Sequence, residues 1–179
     1  MRWDGDFTYS SYEKLWDVDE SGTVATKARD SSLITILRSK EPCSESFDVT
    51  VRSLTYDGEG RQHYHHTLGL CGHDYNWSAC NARSHGALSI NLKSGELHIS
   101  GGAIPFSTQI GPDDLVAFQV HRETKTVVVT HSKPDGENLE RTVEWPDMPE
   151  SLYLAVSMDH QDSAVQIEDL GGLTKAARS

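Results

Sequence analysis

The run Leu115-Val116-Ala117-Phe118-Gln119-Val120-His121, the tetrapeptide Arg122-Glu123-Thr124-Lys125 and the run Thr126-Val127-Val128-Val129-Thr130-His131 decide the fold class. Val116, Phe118 and Val120 alternate with Ala117, Gln119 and His121, the two-residue period of a strand with one wet face. The charged tetrapeptide then joins two such strands as a turn. Phe47, Val49 and Val51 repeat the alternation against Asp48, Thr50 and Arg52. Further short runs rich in β-branched and aromatic residues fall at 23–27, 33–38, 65–71, 87–92, 96–100, 141–145, 152–158 and 164–170, each bounded by Gly, Pro, Asp, Asn or Ser. That spacing is the signature of a β-sandwich or barrel.

The punctuation agrees. Lys93-Ser94-Gly95 reads as a tight hairpin in which Gly95 supplies a positive φ. All six prolines fall between the runs, where a missing N–H breaks no ladder. No window carries a helical period; residues 11–16 suit a single helical turn and 173–178 a frayed tail. The expectation is one all-β domain over 1–179, a two-sheet antiparallel sandwich with a loose end from about 171. Long connections at 57–62, 74–84, 101–114 and 133–138 are where recognition is expected on such a scaffold.

Composition narrows the function. With 36% apolar residues, no apolar run approaches the roughly 20 residues of a membrane-spanning helix. The net charge of −11 comes from acids scattered along the chain, without the clustered Lys and Arg that neutralise phosphates. Neither nucleic acid nor a membrane is an expected partner. Met1-Arg2-Trp3-Asp4-Gly5-Asp6 carries acids where a secretory leader has an apolar stretch, and the three cysteines are an odd number. A cytoplasmic chain with free thiols is therefore expected, although Asn76-Trp77-Ser78 forms a glycosylation triplet that points the other way.

Catalytic and metal chemistry find little support in the residues. His63, His65, His66, Cys71, His73, Cys80 and His85 crowd the centre of the chain. On a strand His63 and His65 share one face while His66 points to the other, and no Cys-x-x-Cys pair is present. No metal and no cofactor are expected. A Gly-x-Ser-x-Gly elbow and a phosphate-binding glycine loop are both missing. Asp113 with Asp114, and Asp17 with Asp19, are paired carboxylates of the kind glycosidases use, but they read better as a solvated face.

Taken in order, the strands and loops resemble the SPRY domain family, the interaction modules also found in B30.2-type proteins. Phe47-Asp48-Val49-Thr50-Val51 is similar to the family's Trp-Glu-Val-x-Val strand, and Leu68-Gly69-Leu70-Cys71 to its Val-Gly-Val strand. The stretch Gly86-Ala87-Leu88-Ser89-Ile90-Asn91-Leu92 with the hairpin at Gly95-Glu96-Leu97-His98 also resembles the family pattern. So do Ile110-Gly111-Pro112-Asp113-Asp114-Leu115-Val116 and Leu152-Tyr153-Leu154-Ala155-Val156-Ser157, with Asp113 standing where the family writes Gly. The resemblance implies a bent, concanavalin-like sandwich without catalysis that presents loops to a protein or peptide, as in ubiquitin-ligase or scaffold assemblies. The loops 56–66 and 74–84 are the expected surface, with Tyr64, Tyr75 and Trp77 as aromatic anchors and Arg61, His65 and Arg83 as donors. The alternative is a carbohydrate-binding or carbohydrate-cleaving concanavalin-type sandwich, which the same pattern serves.

Overall fold

A strand with one apolar face is stable only when that face is covered, so a chain of alternating runs must stack its sheets. The computed structural model describes residues 1–5, 15–28, 36–43, 46–53, 66–73, 86–158 and 161–168. Among them the chain forms strands and no helix. In chain order these are β1 (Trp16–Val18), β2 (Val24–Lys27), β3 (Ile36–Arg38), β4 (Ser46–Ser53), β5 (Thr67–Gly72), β6 (Ala87–Asn91) and β7 (Leu97–Ile99). There follow β8 (Gly102–Ile104), β9 (Leu115–His121), β10 (Thr126–Ser132), β11 (Asn138–Glu144), β12 (Leu152–Ser157) and β13 (Ala164–Glu168). They build a seven-stranded sheet in the order β1-β2-β13-β4-β9-β10-β11 and a six-stranded sheet in the order β3-β12-β5-β6-β7-β8. Every pairing is antiparallel.

The two sheets share one core. Leu68, Leu70, Leu88, Ile90, Leu154 and Val156 come from the smaller sheet, and Ala25, Val116, Phe118, Val127, Val129 and Val165 from the larger. The run that decided the fold class is the β9–β10 hairpin, in register from Thr126 opposite His121 to Ser132 opposite Leu115. Its turn closes through Lys125 N–H donating to Arg122 O at 3.3 Å. In the Lys93–Gly95 turn Gly95 has φ 72°, and the Asn91 side-chain oxygen accepts the N–H groups of Lys93 and Ser94 at 2.9 and 3.0 Å. The prolines all lie outside strands.

Three expectations need correction. Trp16 belongs to strand β1, not to a helical turn: it pairs with Lys27, is buried, and carries the Lys27 ammonium 5.4 Å from its ring centre. A three-residue strand is too short to show an alternation. The segment 101–114 is not all loop, because Gly102, Ala103 and Ile104 form β8 against β7. Gly and Ala are poor strand formers, and here the pairing is imposed by a two-residue turn at Ser100 and Gly101, both with positive φ (47° and 85°). The connection expected at 133–138 is one residue shorter, since β11 already begins at Asn138 and Lys133 N–H donates to Glu137 O at 2.8 Å.

The N-terminal residues are tied into the sandwich as well. Trp3 is buried, forms a bridge to Ser39, and donates its indole N–H to Thr23 O at 3.0 Å.

Candidate functional site

The sequence-derived contact residues Arg61, Tyr64, His65, Tyr75, Trp77 and Arg83 all lie outside the described residues. What is described is the strand between those two connections. Next to it His66 is buried, and His73 is exposed with its ring centre 5.7 Å from that of Tyr153. The Arg38 guanidinium sits over the same Tyr153 ring at 4.3 Å. Cys43 and Cys71 are free thiols in the interior. Burial pushes the Cys43 thiol up to about 12 and also raises that of Cys71, so neither is a ready thiolate. Cys80 lies outside the described residues, and among those described no three His, Cys, Asp or Glu side chains converge on a metal position.

The best-defined exposed feature is the segment from the β7–β8 turn to the start of β9. From Leu97 to Pro112 the chain carries no Asp, Glu, Lys or Arg, in a protein where 24% of residues are charged. Gly101, Ala103, Pro105, Thr108, Gln109 and Pro112 are exposed along it. Polar loops of this length usually move, but this one is held from several sides. Ile110 is fully buried and its N–H donates to Leu92 O at 2.7 Å. Ser107 N–H donates to Gly95 O at 3.1 Å, and a β-carbon on Gly95 would stand 2.3 Å from Thr108 O and 2.4 Å from Ser107 O. Only glycine fits there. Arg141 reaches from β11 to donate to Pro105 O at 3.4 Å.

A buried side-chain relay completes the fastening. His131 follows Val127 and Val129 on the inner face of β10, and Asp114 stands immediately before β9. Asp114 Oδ2 accepts both Gly111 N–H and His131 Nε2–H at 2.7 Å. With the imidazole neutral, that carboxylate fixes the proton on Nε2 and leaves Nδ1 to accept the Ser107 hydroxyl at 2.5 Å. His131 is 1% and Asp114 5% exposed. Asp114 is thus not part of a solvated acidic face, which corrects the sequence-based expectation; its neighbour Asp113 is exposed. Nothing in the spacing of Ser107, Asp114 and His131 announces the relay, because β9 intervenes and the contact exists only once β10 has paired.

Asp113 carries a local cost. It follows Pro112 in the turn closed by Asp114 N–H on Gly111 O, and its φ is 65°. Pro followed by a residue of positive φ is a turn that favours Gly at the second place, which is what the family pattern has. Asp113→Gly is expected to raise stability by about 0.5 kcal/mol or more. A higher urea midpoint at unchanged slope is the expected reading, and a lower midpoint would contradict it.

No family model and no curated protein sequence matches the chain. Solved structures do. A human SPRY domain superposes with a TM-score of 0.65 at 15% identity, covering 87% of this chain and 95% of that one. The SPRY domain of human HERC1 gives 0.65 at 14% identity over 94% of this chain and 98% of that one. A more distant neighbour, the lectin UEA-II complexed with galactose, gives 0.53 at 12% identity over 92% and 97%. The fold is therefore SPRY-like, an antiparallel sandwich of the concanavalin kind.

Proposed function

We propose that this chain is a protein-interaction module that holds a protein or peptide partner against loops fixed on a rigid sandwich. The observation that carries the reading is the uncharged segment 97–112, exposed at Gly101, Ala103, Pro105, Thr108, Gln109 and Pro112 and fastened by Ile110, Gly95 and the Asp114–His131–Ser107 relay. A loop fixed before binding loses little conformational entropy on docking, and a neutral surface loses little hydration. The SPRY-like fold supports the same reading. Loops 56–66 and 74–84 belong to the proposed surface, with Tyr64, Tyr75 and Trp77 as anchors and Arg61, His65 and Arg83 as donors. A role in selecting substrates for a ubiquitin ligase or in a cytoplasmic scaffold is the finer form of the proposal.

The test is affinity capture from source-cell extract with the wild type, Tyr75→Ala, Trp77→Ala and a Thr108→Glu, Gln109→Glu double variant, each checked for its melting temperature. Loss of one partner from folded variants is expected, at about 2 kcal/mol or more for a true aromatic anchor. Retention of every partner by all the folded variants refutes the surface. Binding on a glycan array, competed by free sugar, would instead favour the carbohydrate alternative.

A further inference from the structure

The relay that fastens the 105–114 segment also places a serine hydroxyl against an imidazole that a carboxylate orients. We propose that Ser107 is an activated nucleophile, with His131 as its general base and Asp114 as the orienting carboxylate, able to take an acyl group from uncharged esters. The three side chains are in direct sequence: Ser107 Oγ lies 2.5 Å from His131 Nδ1, and His131 Nε2 lies 2.7 Å from Asp114 Oδ2. Asp114 is itself held by Gly111 N–H at 2.7 Å.

Nucleophilic catalysis at a hydroxyl needs a base within hydrogen-bond reach and a third group that fixes the base's tautomer and stabilises its cation. Here the carboxylate accepts from Nε2 and so leaves Nδ1 free to take the hydroxyl proton. The relay therefore runs through the imidazole in the opposite sense to the hydrolase arrangement, with the same acid–base roles. Burial of His131 and Asp114 keeps bulk water from competing for these bonds, while Ser107 itself is only half buried.

The acyl oxygen has candidate donors beside it in the chain. Among the described residues, Thr108 N–H and Gln109 N–H have no acceptor, and the amide following the nucleophile is a donor that elbow-type hydrolases use. Substrate class follows from the segment itself: the absence of Asp, Glu, Lys and Arg from 97 to 112 suits a neutral acyl group. In the step, Ser107 Oγ bonds to the acyl carbon as its proton passes to His131 Nδ1. The ester C–O bond then breaks, and the alcohol leaves with that proton. Water, deprotonated by the same nitrogen, releases the carboxylic acid and restores the serine.

The proposal is independent of the binding role, and its readout is separate from partner capture. The folded protein is treated with a biotinylated fluorophosphonate, in which Ser107 Oγ displaces fluoride at phosphorus, and the adduct is located by peptide mass spectrometry. One adduct per chain at Ser107 is expected from native protein and none after unfolding in urea. Ser107→Ala removes it, Ser94→Ala does not, and His131→Gln slows it at least 100-fold. Asp114→Asn, which keeps the side-chain volume, slows it at least tenfold, and hydrolysis of p-nitrophenyl acetate falls in parallel. Absence of a Ser107 adduct from folded wild type overturns the proposal. So does labelling of Ser107 at equal rates in native and unfolded protein; either result leaves the relay a purely structural fastening.

Discussion

Replacing Gly69 by alanine is expected to cost about 3 kcal/mol or more, a large share of the 5–15 kcal/mol that typical domains possess. A β-carbon at this position would lie 2.0 Å from Leu88 O and 2.6 Å from Ser89 Cα. Both atoms are backbone, so no side-chain rotation relieves the clash. Gly69 sits opposite Ser89 on one side and Ala155 on the other, in the middle of a strand paired along both edges. The sheet must therefore open between β5 and β6 or shift its register, and either loses ladder hydrogen bonds and the Leu68, Leu70 and Leu88 packing. Denaturant unfolding of Gly69→Ala is the measurement; a loss below about 1 kcal/mol would show that the strands separate easily and would refute the account.

Trp145→Ala is expected to cost about 3–5 kcal/mol, the usual range for removing a large aromatic from a core. Trp145 is among the largest fully buried side chains, and its backbone N–H holds Lys125 O at 2.8 Å beside the β9–β10 turn. Its indole N–H, by contrast, is buried with no hydrogen-bond partner. That separates two contributions to the side chain's effect. Trp145→Phe keeps most of the apolar volume and removes a polar group that makes no bond, so it is expected to recover more than half of the loss seen with alanine. Equal losses for the two variants, measured by guanidinium unfolding, would mean that the indole N–H matters after all.

The strands that carry a long alternation were legible in the sequence, and the short ones were not. β9 and β10 write their period over seven residues each, and β12 resembles a family signature, so their places follow from local pattern. β1 and β8 have three residues each, and β8 contains Gly102 and Ala103, which no propensity argument assigns to a strand. What makes them strands is a neighbour already in place. The same limit governs the site. Asp113 and Asp114 are adjacent acids of the same chemistry, and only the fold decides that one faces water while the other accepts from His131. Isolation of Ser107 from any Gly-x-Ser-x-Gly setting hid its relay, because its base comes from β10 and its carboxylate from the entry to β9, a juxtaposition made by tertiary pairing. The aromatic loop residues were readable only as types suited to contact.

The strand order also constrains when this protein can fold during synthesis. β12 lies between β3 and β5, and β13 lies between β2 and β4, so the last two strands occupy interior places in both sheets. The β5–β6–β7–β8 and β9–β10–β11 meanders and the β1–β2 pair need only neighbours in sequence and can pair as soon as they emerge. Neither sheet can be completed early: until residues 152–168 leave the ribosome, β3 and β5 have no common partner, and β2 and β4 have none either. Closure is therefore a late, cooperative event in which long chain loops are shut at once. A nascent chain stalled before β12 leaves β2, β3, β4 and β5 each without a neighbour it has in the finished sheets, and that interval, more than the finished molecule, is where chaperones or misassembly compete for it.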